Sequence, residues 1–414
     1  MKVLVLSHAH PENIDGGAQL AAYRMHEEFL RQGIDSHFLS WAPPREGRHS
    51  TFSGAGPEGR DILFHPGHYD SFLLRNNNRW VVAADYPVLL NSLKPDVVHF
   101  HHYVHVGVDL IRATRNALPD ARIFATLHEF FAICHAGGRM VKTGKAFKLC
   151  EYSSPSECHA CFPEITPEQF VLRKLYIQSM FDLVDRFISP SQFLKDRYAA
   201  WGVPEAKIMV LENGMPEAAS DGSASVKPRQ RKPDEPVHFA FLGKVLKQKG
   251  VDVLFDALDE LPEDVAQRMR VSIYGSGADE EGASYERRIR SLAAEAPCPV
   301  RIHGKYAQSA VPRLMADIDY ILVPSVWWEN SPIVIQEAFQ YGKPVICSNI
   351  GGMAEKVEDG VSGLHFEVND ARDLARVLAR AVELAEDTEW EWKVPRITRL
   401  PDMAESIVGL YRRR

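Results

Sequence analysis

The strongest constraint on the fold of this chain is a regular alternation of short apolar runs with amphipathic segments. The apolar runs predict buried strands, and the segments between them predict helices. Strands that alternate with helices form mostly parallel sheets with helices on both faces. The pattern occurs in both halves, so we predict an α/β protein with two doubly wound sheets. The predicted strands are Val3–Ser7, His37–Ser40, Val97–Phe100, Ile123–Leu127 and Arg186–Ser189, then His238–Leu242, Val271–Tyr274, Val300–His303, Tyr320–Val323 and Val345–Ser348.

Chain length and one polar stretch predict the domain boundaries. With 414 residues, the chain is too long for one ordinary hydrophobic core, so two domains are expected. Residues 217–236 are rich in Ser, Pro, Lys, Arg and Asp, which predicts an exposed linker. We therefore predict one domain over residues 1–216, a second over residues 237–400, and a C-terminal helix within residues 401–414.

The composition narrows the class of protein. The chain is 45% hydrophobic and 25% charged, as soluble globular proteins are, and its net charge of −7 argues against binding nucleic acid. No apolar run is long enough to predict a membrane span. Residues 1–7 predict a strand rather than a signal peptide, so we expect a cytoplasmic protein. The basic tail 412–414 predicts either a solvated end or a peripheral contact with the inner membrane surface.

The motif that is most informative about function is a pair of glutamates around the start of a helix. Glu329 lies in the loop after a predicted strand, and Glu337 lies about one and a half turns inside the next helix. Ser331 is the predicted N-cap, Pro332 the predicted first helical residue, and Gly342 marks the end. At the carboxyl edge of a parallel sheet, the helix start can bind phosphate and the carboxylates can bind hydroxyl groups. A sugar attached to a nucleotide diphosphate needs both.

This motif, followed by the sequence Gly-Lys-Pro-Val at residues 342–345, resembles the donor site of the retaining glycosyltransferases of family 4. The resemblance implies the GT-B fold, in which two Rossmann-like domains face each other across a cleft. It also implies that Glu337 holds the ribose hydroxyls and Glu329 the donor sugar. The alternative is an ordinary helix with one solvated glutamate. The residues between the two glutamates that are implied to bind the donor are Asn330, Ser331, Pro332, Ile333 and Val334.

A basic loop in the second half matches the phosphate-binding segment of the same family. Gly243 follows a strand, Lys249 occupies the family's lysine position, and Lys244 stands where arginine is usual. Lysine lacks the forked donor geometry of arginine, so the grip on a diphosphate is expected to differ. Two cations and the helix-start amides can stabilise a leaving diphosphate, so no catalytic metal is expected. The alternative is a solvated basic loop.

Glycines and a lysine at other strand ends also match the family. Gly16 and Gly17 follow the first strand and are implied to lie near the donor phosphates and the acceptor. Gly275 and Lys305 follow two strands of the second half and are implied to contact the nucleotide. Glycine lets the backbone approach a ligand closely, which is the physical reason for its use there.

Histidines follow two strands of the first half. His128 ends one strand, and the resemblance implies that it positions the donor sugar beside the reacting carbon, assisted by Glu129. We expect it to stabilise positive charge rather than to act as an obligatory base. Residues 99–105 contain four more histidines, which predict either the border of a sugar cleft or a metal site.

Four of the six cysteines cluster in a loop rich in Gly, Ser and Pro, over residues 134–161. They are Cys134, Cys150, Cys158 and Cys161. Four thiolates can hold one structural zinc ion, and disulfide pairs or free thiols are the alternatives. Some family members carry a similar insertion, which implies that it shapes the acceptor site. Cys298 and Cys347 are expected to be buried small side chains.

Together these features predict a retaining glycosyltransferase. It would move a hexose from a uridine or guanosine diphosphate sugar to a hydroxyl group, in polysaccharide, glycolipid or glycoconjugate biosynthesis. The acceptor is a sugar, a lipid-linked sugar or a small metabolite. Two other classes stay open. A sugar-nucleotide epimerase or a phosphorylase could use the same fold, and a non-catalytic sugar-nucleotide-binding protein could keep the same motifs.

Overall fold

A computed structural model describes residues 1–13, 16–43, 50–55, 59–144, 148–217, 235–277 and 280–413. The chain divides into two compact units. The first comprises Met1–Pro216 and Thr398–Arg414, and the second comprises Glu217–Ile397. Within the predicted linker, residues 218–234 lie outside the described part. No helix of the described residues is both long enough and apolar enough to cross a membrane.

The first unit is built on an eight-stranded sheet with the order β10-β9-β8-β7-β1-β2-β4-β3. All neighbours are parallel except β3 and β4. The five strands predicted for this half are present, two of them with the predicted ends and three with ends that differ by one or two residues. Those not predicted are β3 to β6 and β10. The strands are β1 (Lys2–Ser7), β2 (Asp35–Trp41), β3 (Phe52–Ala55), β4 (Asp61–Phe64), the hairpin β5 (Tyr69–Asp70) and β6 (Arg75–Asn76), β7 (Val97–Phe100), β8 (Arg122–Thr126), β9 (Arg186–Ser189) and β10 (Ile208–Val210).

The helices of the first unit include three that pack against its sheet, the first, the third and the sixth. The first helix buries Ala22, Met25 and Phe29 completely, as a stripe at helical spacing requires. A π-helical turn, Val81–Asp85, runs directly into the second helix. The helices are α1 (Gly17–Arg31), α2 (Tyr86–Leu93), α3 (Asp109–Ala117), α4 (Pro155–Cys161), α5 (Pro167–Phe181) and α6 (Gln192–Trp201).

The second unit is built on a six-stranded sheet with the order β13-β12-β11-β14-β15-β16, and all neighbours are parallel. The strands are β11 (Val237–Leu242), β12 (Met269–Tyr274), β13 (Val300–Gly304), β14 (Tyr320–Val323), β15 (Val345–Ser348) and β16 (Gly363–Phe366). The helices are α7 (Val251–Asp259), α8 (Glu263–Ala266), α9 (Glu280–Glu295), α10 (Val311–Asp317), α11 (Ile333–Gln340), α12 (Gly351–Lys356) and α13 (Ala371–Glu386). The five predicted strands of this half are confirmed, and the α/β class is confirmed for both units.

The last helix, α14 (Leu400–Arg412), belongs to the core of the first unit. Met403, Ile407 and Tyr411 are buried there among residues of β1, α1 and β8. Arg122 at the start of β8 donates a hydrogen bond of 2.9 Å to the carbonyl of Leu410, which satisfies one of the helix's terminal carbonyl groups.

Each sheet has one point where the strand order reverses. In the first unit the chain leaves β1 toward β2 and later resumes on the other side at β7. In the second unit it leaves β11 toward β12 and resumes at β14. Loops at the carboxyl ends of two strands diverge there and leave a crevice, which is where open α/β sheets bind ligands. The loops after β1 and β7, and after β11 and β14, are therefore the places to look for a site.

Candidate active site

In the second unit, the loops after β11 and β12 touch each other through glycine. Gly243 and Gly275 follow the two strands, with φ of +151° and +141°. A Cβ atom on Gly275 would lie 1.7 Å from the carbonyl oxygen of Gly243. Only glycine can occupy position 275 with this backbone, so the role of Gly275 in the structure is close backbone contact.

Two more glycines hold the loop after β14 in place. A Cβ atom on Gly250 would lie 1.9 Å from the carbonyl oxygen of Pro324, and one on Gly352 would lie 1.5 Å from that of Asn330. The amide of Gly352 donates a hydrogen bond of 2.8 Å to the carbonyl of Glu329. The segment that carries the first glutamate is thus packed against the loops after β11 and β15.

Glu329 and Lys249 are in direct contact. The Nζ atom of Lys249 lies 2.5 Å from Oε1 of Glu329, and the same oxygen accepts hydrogen bonds from Ser325 at 2.9 Å and from the Trp327 indole at 2.8 Å. Burial alone would raise the pKa of Glu329. The Lys249 ammonium and the two neutral donors outweigh burial and hold the pKa of this carboxyl below its usual value. Glu329 is therefore an ionised carboxylate whose Oε1 atom accepts from three donors.

The helix that carries Glu337 begins one residue later than the sequence predicted. Pro332 has φ −60° and ψ 118°, which is extended rather than helical, so Pro332 is the N-cap and Ile333 the first helical residue. Ser331 precedes the cap, and the prediction that it is the N-cap was wrong. Ile333 and Val334 carry the first amides of the helix, which no helical carbonyl can satisfy.

Glu337 lies in the second turn of α11 and is only 6% exposed. Its Oε1 atom accepts a hydrogen bond of 2.6 Å from Nε2 of Gln308. Burial, and then the Glu337 charge, raise the pKa of the Tyr306 hydroxyl. Gln308 and Tyr306 follow β13 in the loop after Lys305. The sequence analysis did not predict Gln308, because a glutamine in a loop carries no pattern.

The remaining predicted residues of the second unit occupy strand ends. Lys244 follows Gly243 after β11, and Lys305 follows Gly304 after β13; both side chains are exposed. Lys247, two residues before Lys249, is paired with Asp252 of α7. The carboxyl edge of this sheet thus presents the cations Lys244, Lys249 and Lys305 together with the carboxylates of Glu329 and Glu337, of which Glu337 is buried.

In the first unit, the loops after β1, β7 and β8 bring imidazoles together. Nδ1 of His101 lies 3.1 Å from Nε2 of His128, and the ring centres of His8 and His102 are 4.1 Å apart. Burial lowers the pKa of His128 to about 3 and that of His8 to about 4, with nearby histidines adding to the effect. These rings are neutral near pH 7. A neutral His128 can donate or accept one hydrogen bond at each nitrogen but carries no charge.

His102 has a defined tautomer. The backbone amide of Val104 donates to Nδ1 of His102 at 3.0 Å, so the proton of the neutral ring is on Nε2. That Nε2 lies 3.1 Å from Oε1 of Glu129, and the amide of Phe131 donates to Oε2 of the same carboxyl. Burial raises the pKa of Glu129 to about 8 in spite of the amide bond. Glu129 is thus the next residue in the chain after His128, and its carboxyl contacts the ring of His102.

Two histidines near these loops have structural partners. His99 shares hydrogen bonds with Thr126 at 2.8 Å and with the hydroxyl of Tyr411 at 2.5 Å, so it joins two strands to α14. His10 has turned toward Asp61 of β4, with Nε2 3.5 Å from the carboxylate. The interpretation of His99 as part of a cleft border was wrong, because its ring faces the core.

Asp61 is a buried carboxylate that the sequence analysis missed. Tyr23 donates to it at 3.1 Å, and His26 lies 3.4 Å away, in addition to His10. Burial opposes ionisation, but these partners hold the pKa of Asp61 below its usual value. These contacts of Asp61 join β4 to α1 and to His10 in the loop that follows β1.

The glycines after β1 begin a helix. Gly16 is the N-cap of α1, with φ 179°, and Gly17 is its first residue. A Cβ atom on Gly16 would meet only the end of the flexible Gln19 side chain, at 2.6 Å. Gly16 therefore stands at a helix start, with no backbone strain that requires glycine.

The four clustered cysteines are half-buried and form no disulfide with one another, whereas Cys298 and Cys347 are buried as predicted. Among the described residues, no group of three or more His, Cys, Asp or Glu side chains stands ready to hold a metal ion as the chain is folded here. That statement covers the histidines of residues 99–105 and the cysteines alike.

Each half of the chain matches a family of known proteins. Residues 15–218 match the family described as Glycosyltransferase Family 4, and residues 224–390 match the family described as Glycosyl transferases group 1. The glycogen synthase of Thermodesulfovibrio yellowstonii is 30% identical over 145 residues, which cover 35% of this chain and 28% of that protein. The D-inositol 3-phosphate glycosyltransferase of Corynebacterium aurimucosum is 30% identical over 227 residues, which cover 53% of each. This chain thus spans about half, or less, of the curated relatives it matches.

Solved structures share the whole fold at low sequence identity. Anabaena Alr3699/HepE in complex with UDP has a TM-score of 0.65 and 18% identity, over 99% of this chain and 95% of that one. A structure of the same protein in complex with UDP-glucose has a TM-score of 0.61 and 16% identity, over 99% and 95%. With two α/β units on parallel sheets and a family match in each half, the chain belongs to the GT-B glycosyltransferases of family 4 and group 1.

Proposed function

We propose that the chain transfers a hexose from a nucleotide diphosphate sugar to a hydroxyl acceptor with retention of configuration at the anomeric carbon. The observation that carries this proposal is the ion pair of Lys249 with Glu329 at the point where the strand order of the second sheet reverses. A cation, an ionised carboxylate and a helix N-terminus converge there. These three groups match the diphosphate and the hydroxyls of a sugar nucleotide.

The Lys249–Glu329 pair suggests how the donor binds. The two groups neutralise each other in the ligand-free chain. A diphosphate oxygen can take the place of the carboxylate on Lys249, which frees Glu329 to accept hydrogen bonds from the sugar hydroxyls. Glu337, held by Gln308, would accept hydrogen bonds from the two ribose hydroxyls. Two carboxylates thus bind neutral hydroxyls while the lysines bind the charge.

We propose a uridine diphosphate sugar as the donor to test first. The support is the likeness to Alr3699/HepE, which has been solved with UDP and with UDP-glucose. Guanosine and adenosine diphosphates belong in the same test, since base recognition depends on backbone and shape. The acceptor class is a sugar, a lipid-linked sugar or a small metabolite with a free hydroxyl.

The proposed reaction is a displacement on one face of the sugar. The bond between the anomeric carbon and the β-phosphate oxygen breaks, and its electron pair stays on the phosphate. The acceptor oxygen bonds to the anomeric carbon on the same face, and its proton moves to the departing phosphate oxygen. Lys249 and Lys244 stabilise the developing charge, so no metal is required for this step. His128, neutral near pH 7, would donate or accept a hydrogen bond to position the donor sugar.

Calorimetric titration of the full chain with UDP, GDP and ADP tests donor binding, and release of free nucleoside diphosphate tests transfer. We expect one nucleotide to bind, Glu337→Gln to weaken its binding, and diphosphate release to require an acceptor but no added Mg²⁺ or Mn²⁺. Gln267→Ala, which alters an exposed Gln–Glu pair of the same unit, is the control. Conversion of the donor without an acceptor would indicate an epimerase. Binding with neither transfer nor slow hydrolysis would indicate a binding protein.

A further inference from the structure

The segment 134–161 of the first unit is held by little regular structure. Its described residues contain one β-bridge, between Val141 and Leu149, and the short helix α4. No residue of α4 is buried. A stretch of this kind buries too little apolar surface to fix itself, so an added cross-link is the usual remedy.

The four cysteines of this segment surround one small cavity. Cys134, Cys150, Cys158 and Cys161 come from three separate stretches, and all four line it. The cavity has a volume of about 20 Å³, which is room for one water molecule or one ion and too little for an organic ligand. The rest of the lining combines apolar side chains with three polar ones, those of His135, Ser153 and Glu157.

The pKa values of the thiols also indicate that they lie within electrostatic reach of one another. Burial raises the pKa of Cys158 to about 11, and the neighbouring Cys134 and Cys150 raise it further. Burial likewise raises the pKa of Cys134 and of Cys150. Among the described residues the side chains form no preformed ligand set, so the four thiols have to move closer together to bind one ion.

A buried cation beside the cavity lacks a carboxylate partner. Arg173 of α5 is 3% exposed and donates to the carbonyls of Phe72, Ala132 and Phe131. It makes no ion pair with any carboxylate in the described part of the chain. Burial lowers the pKa of Arg173, and electrostatic interactions with Tyr103, Cys134 and Cys158 partly offset this, so the guanidinium lies within electrostatic reach of two of the thiols. Burying a cation without a counter-charge is costly, which indicates that an anionic group belongs nearby.

We propose that these four cysteines bind one structural Zn²⁺ ion. Binding displaces four thiol protons to solvent, and four Zn–S bonds of about 2.3 Å form, leaving a centre with net charge −2. That charge compensates Arg173. Disulfides would remove the thiols in pairs, and they would leave Arg173 without an anion. The zinc centre fixes the segment that follows Glu129, whose carboxyl accepts a hydrogen bond from the Phe131 amide.

The first test is the metal content of the full chain, purified without chelator, by elemental mass spectrometry. We expect one zinc per chain, and cobalt substitution should give the near-ultraviolet thiolate-to-metal absorption of a cysteine site. Cys158→Ser and Cys161→Ser should each lose the metal. Cys298→Ser is the matched control, because Cys298 is buried in the second unit and should not alter zinc content.

A second measurement does not depend on variants that fold. In the native wild-type chain, alkylation followed by peptide mapping should find the four clustered cysteines protected, and a strong chelator should expose them. Four reactive thiols with no bound metal would overturn the proposal. So would a mapped disulfide among the four, or full zinc content in Cys158→Ser. None of these results depends on sugar transfer.

Discussion

The two units carry their candidate sites at the same topological position and equip them in opposite ways. In the second unit the loops at the reversal of strand order hold an ion pair, Lys249 with Glu329. In the first unit the corresponding loops hold imidazoles, with His101 against His128 and His8 against His102. One edge is charged, and the other is polar but neutral near pH 7.

The difference in charge between the two edges follows from the surroundings of the titratable side chains at each edge. Glu329 is largely buried, yet it stays ionised because a lysine and two neutral donors satisfy it. Burial, and then neighbouring histidines, lower the pKa of His128 and of His8, so these rings stay uncharged near pH 7. A charged edge suits an anionic diphosphate, and a neutral polar edge suits hydroxyl groups. The proposed binding of the diphosphate by the second unit, and of a neutral sugar hydroxyl by His128, rests on this contrast.

Removal of Lys249 should have the largest effect on the charged edge. We expect Lys249→Ala to lower kcat/KM for sugar transfer by about 10²–10³, because it deletes a charge that stabilises the leaving diphosphate. It also leaves Glu329 largely buried without its cation. Lys247→Ala, two residues away and paired with Asp252, should change kcat/KM less than threefold, that is by under about 0.7 kcal/mol. Steady-state kinetics of both variants test this prediction. Equal losses of kcat/KM in the two variants would mean that the loop contributes only general positive charge.

The backbone that supports the charged edge gives the second prediction. Gly275→Ala places a Cβ atom 1.7 Å from the Gly243 carbonyl, so we expect a loss of about 3 kcal/mol in the free energy of unfolding. Gly304→Ala is the control, since Gly304 also has a positive φ of +76° but nothing within 4 Å of the added atom. It should cost only about 1 kcal/mol. Urea unfolding of both variants measures the difference, and equal costs would assign it to φ alone.

The sequence predicted strands and glycine-rich turns well because these depend on local pattern. The strands Val97–Phe100, Arg186–Ser189, Tyr320–Val323 and Val345–Ser348 agree with the prediction to the residue. Each is buried along nearly its whole length and bounded by turn residues, so periodicity marks both ends. The motif around Glu329 and Glu337 was likewise readable, because strand, loop and helix follow one another without interruption.

Other features depend on contacts that no local pattern shows. Asp61 and Gln308 acquire their roles from residues 29 or more positions away, as in the bonds of Tyr23 to Asp61 and of Gln308 to Glu337. The N-cap was predicted one residue too early, at Ser331, because the extended ψ of Pro332 could not be read from the composition of this segment. His99 resembled its neighbours in sequence, and only its bond to Tyr411 in the last helix shows that it faces the core.

Acidification should lower the stability of the first unit more than that of the second. Eight described histidines of the first unit have a lowered pKa, against two, His238 and His303, in the second. Below pH 6.5 the unfolded state takes up protons that the folded state refuses, so stability falls as pH drops toward the folded pKa values. Glu129 and Asp109, with raised pKa values, oppose this. The eight are His8, His37, His99, His101, His102, His105, His128 and His135.

We expect the first unit to lose about 2 kcal/mol more than the second between pH 7 and pH 5.5, since one proton over one pH unit is worth about 1.4 kcal/mol. Native-state hydrogen exchange, corrected for the pH dependence of the intrinsic rate, measures the stability of each unit. Glu329 has a lowered pKa, so its contribution is lost only at more acid pH, below about 4.5. Equal losses in both units would remove the electrostatic contrast between them.

The smallest expected effect tests how the second unit positions its buried glutamate. Gln308→Ala removes the 2.6 Å hydrogen bond to Glu337, and we expect the Kd for UDP to rise about fivefold to tenfold, or about 1–1.4 kcal/mol. Gln267→Ala, which breaks an exposed 3.1 Å bond to Glu263, should leave the Kd unchanged. Because Gln308 would act through Glu337 on the ribose, the loss should nearly vanish for UDP lacking both ribose hydroxyls. An equal loss with that analogue would mean that Gln308 contacts another part of the nucleotide rather than acting through Glu337.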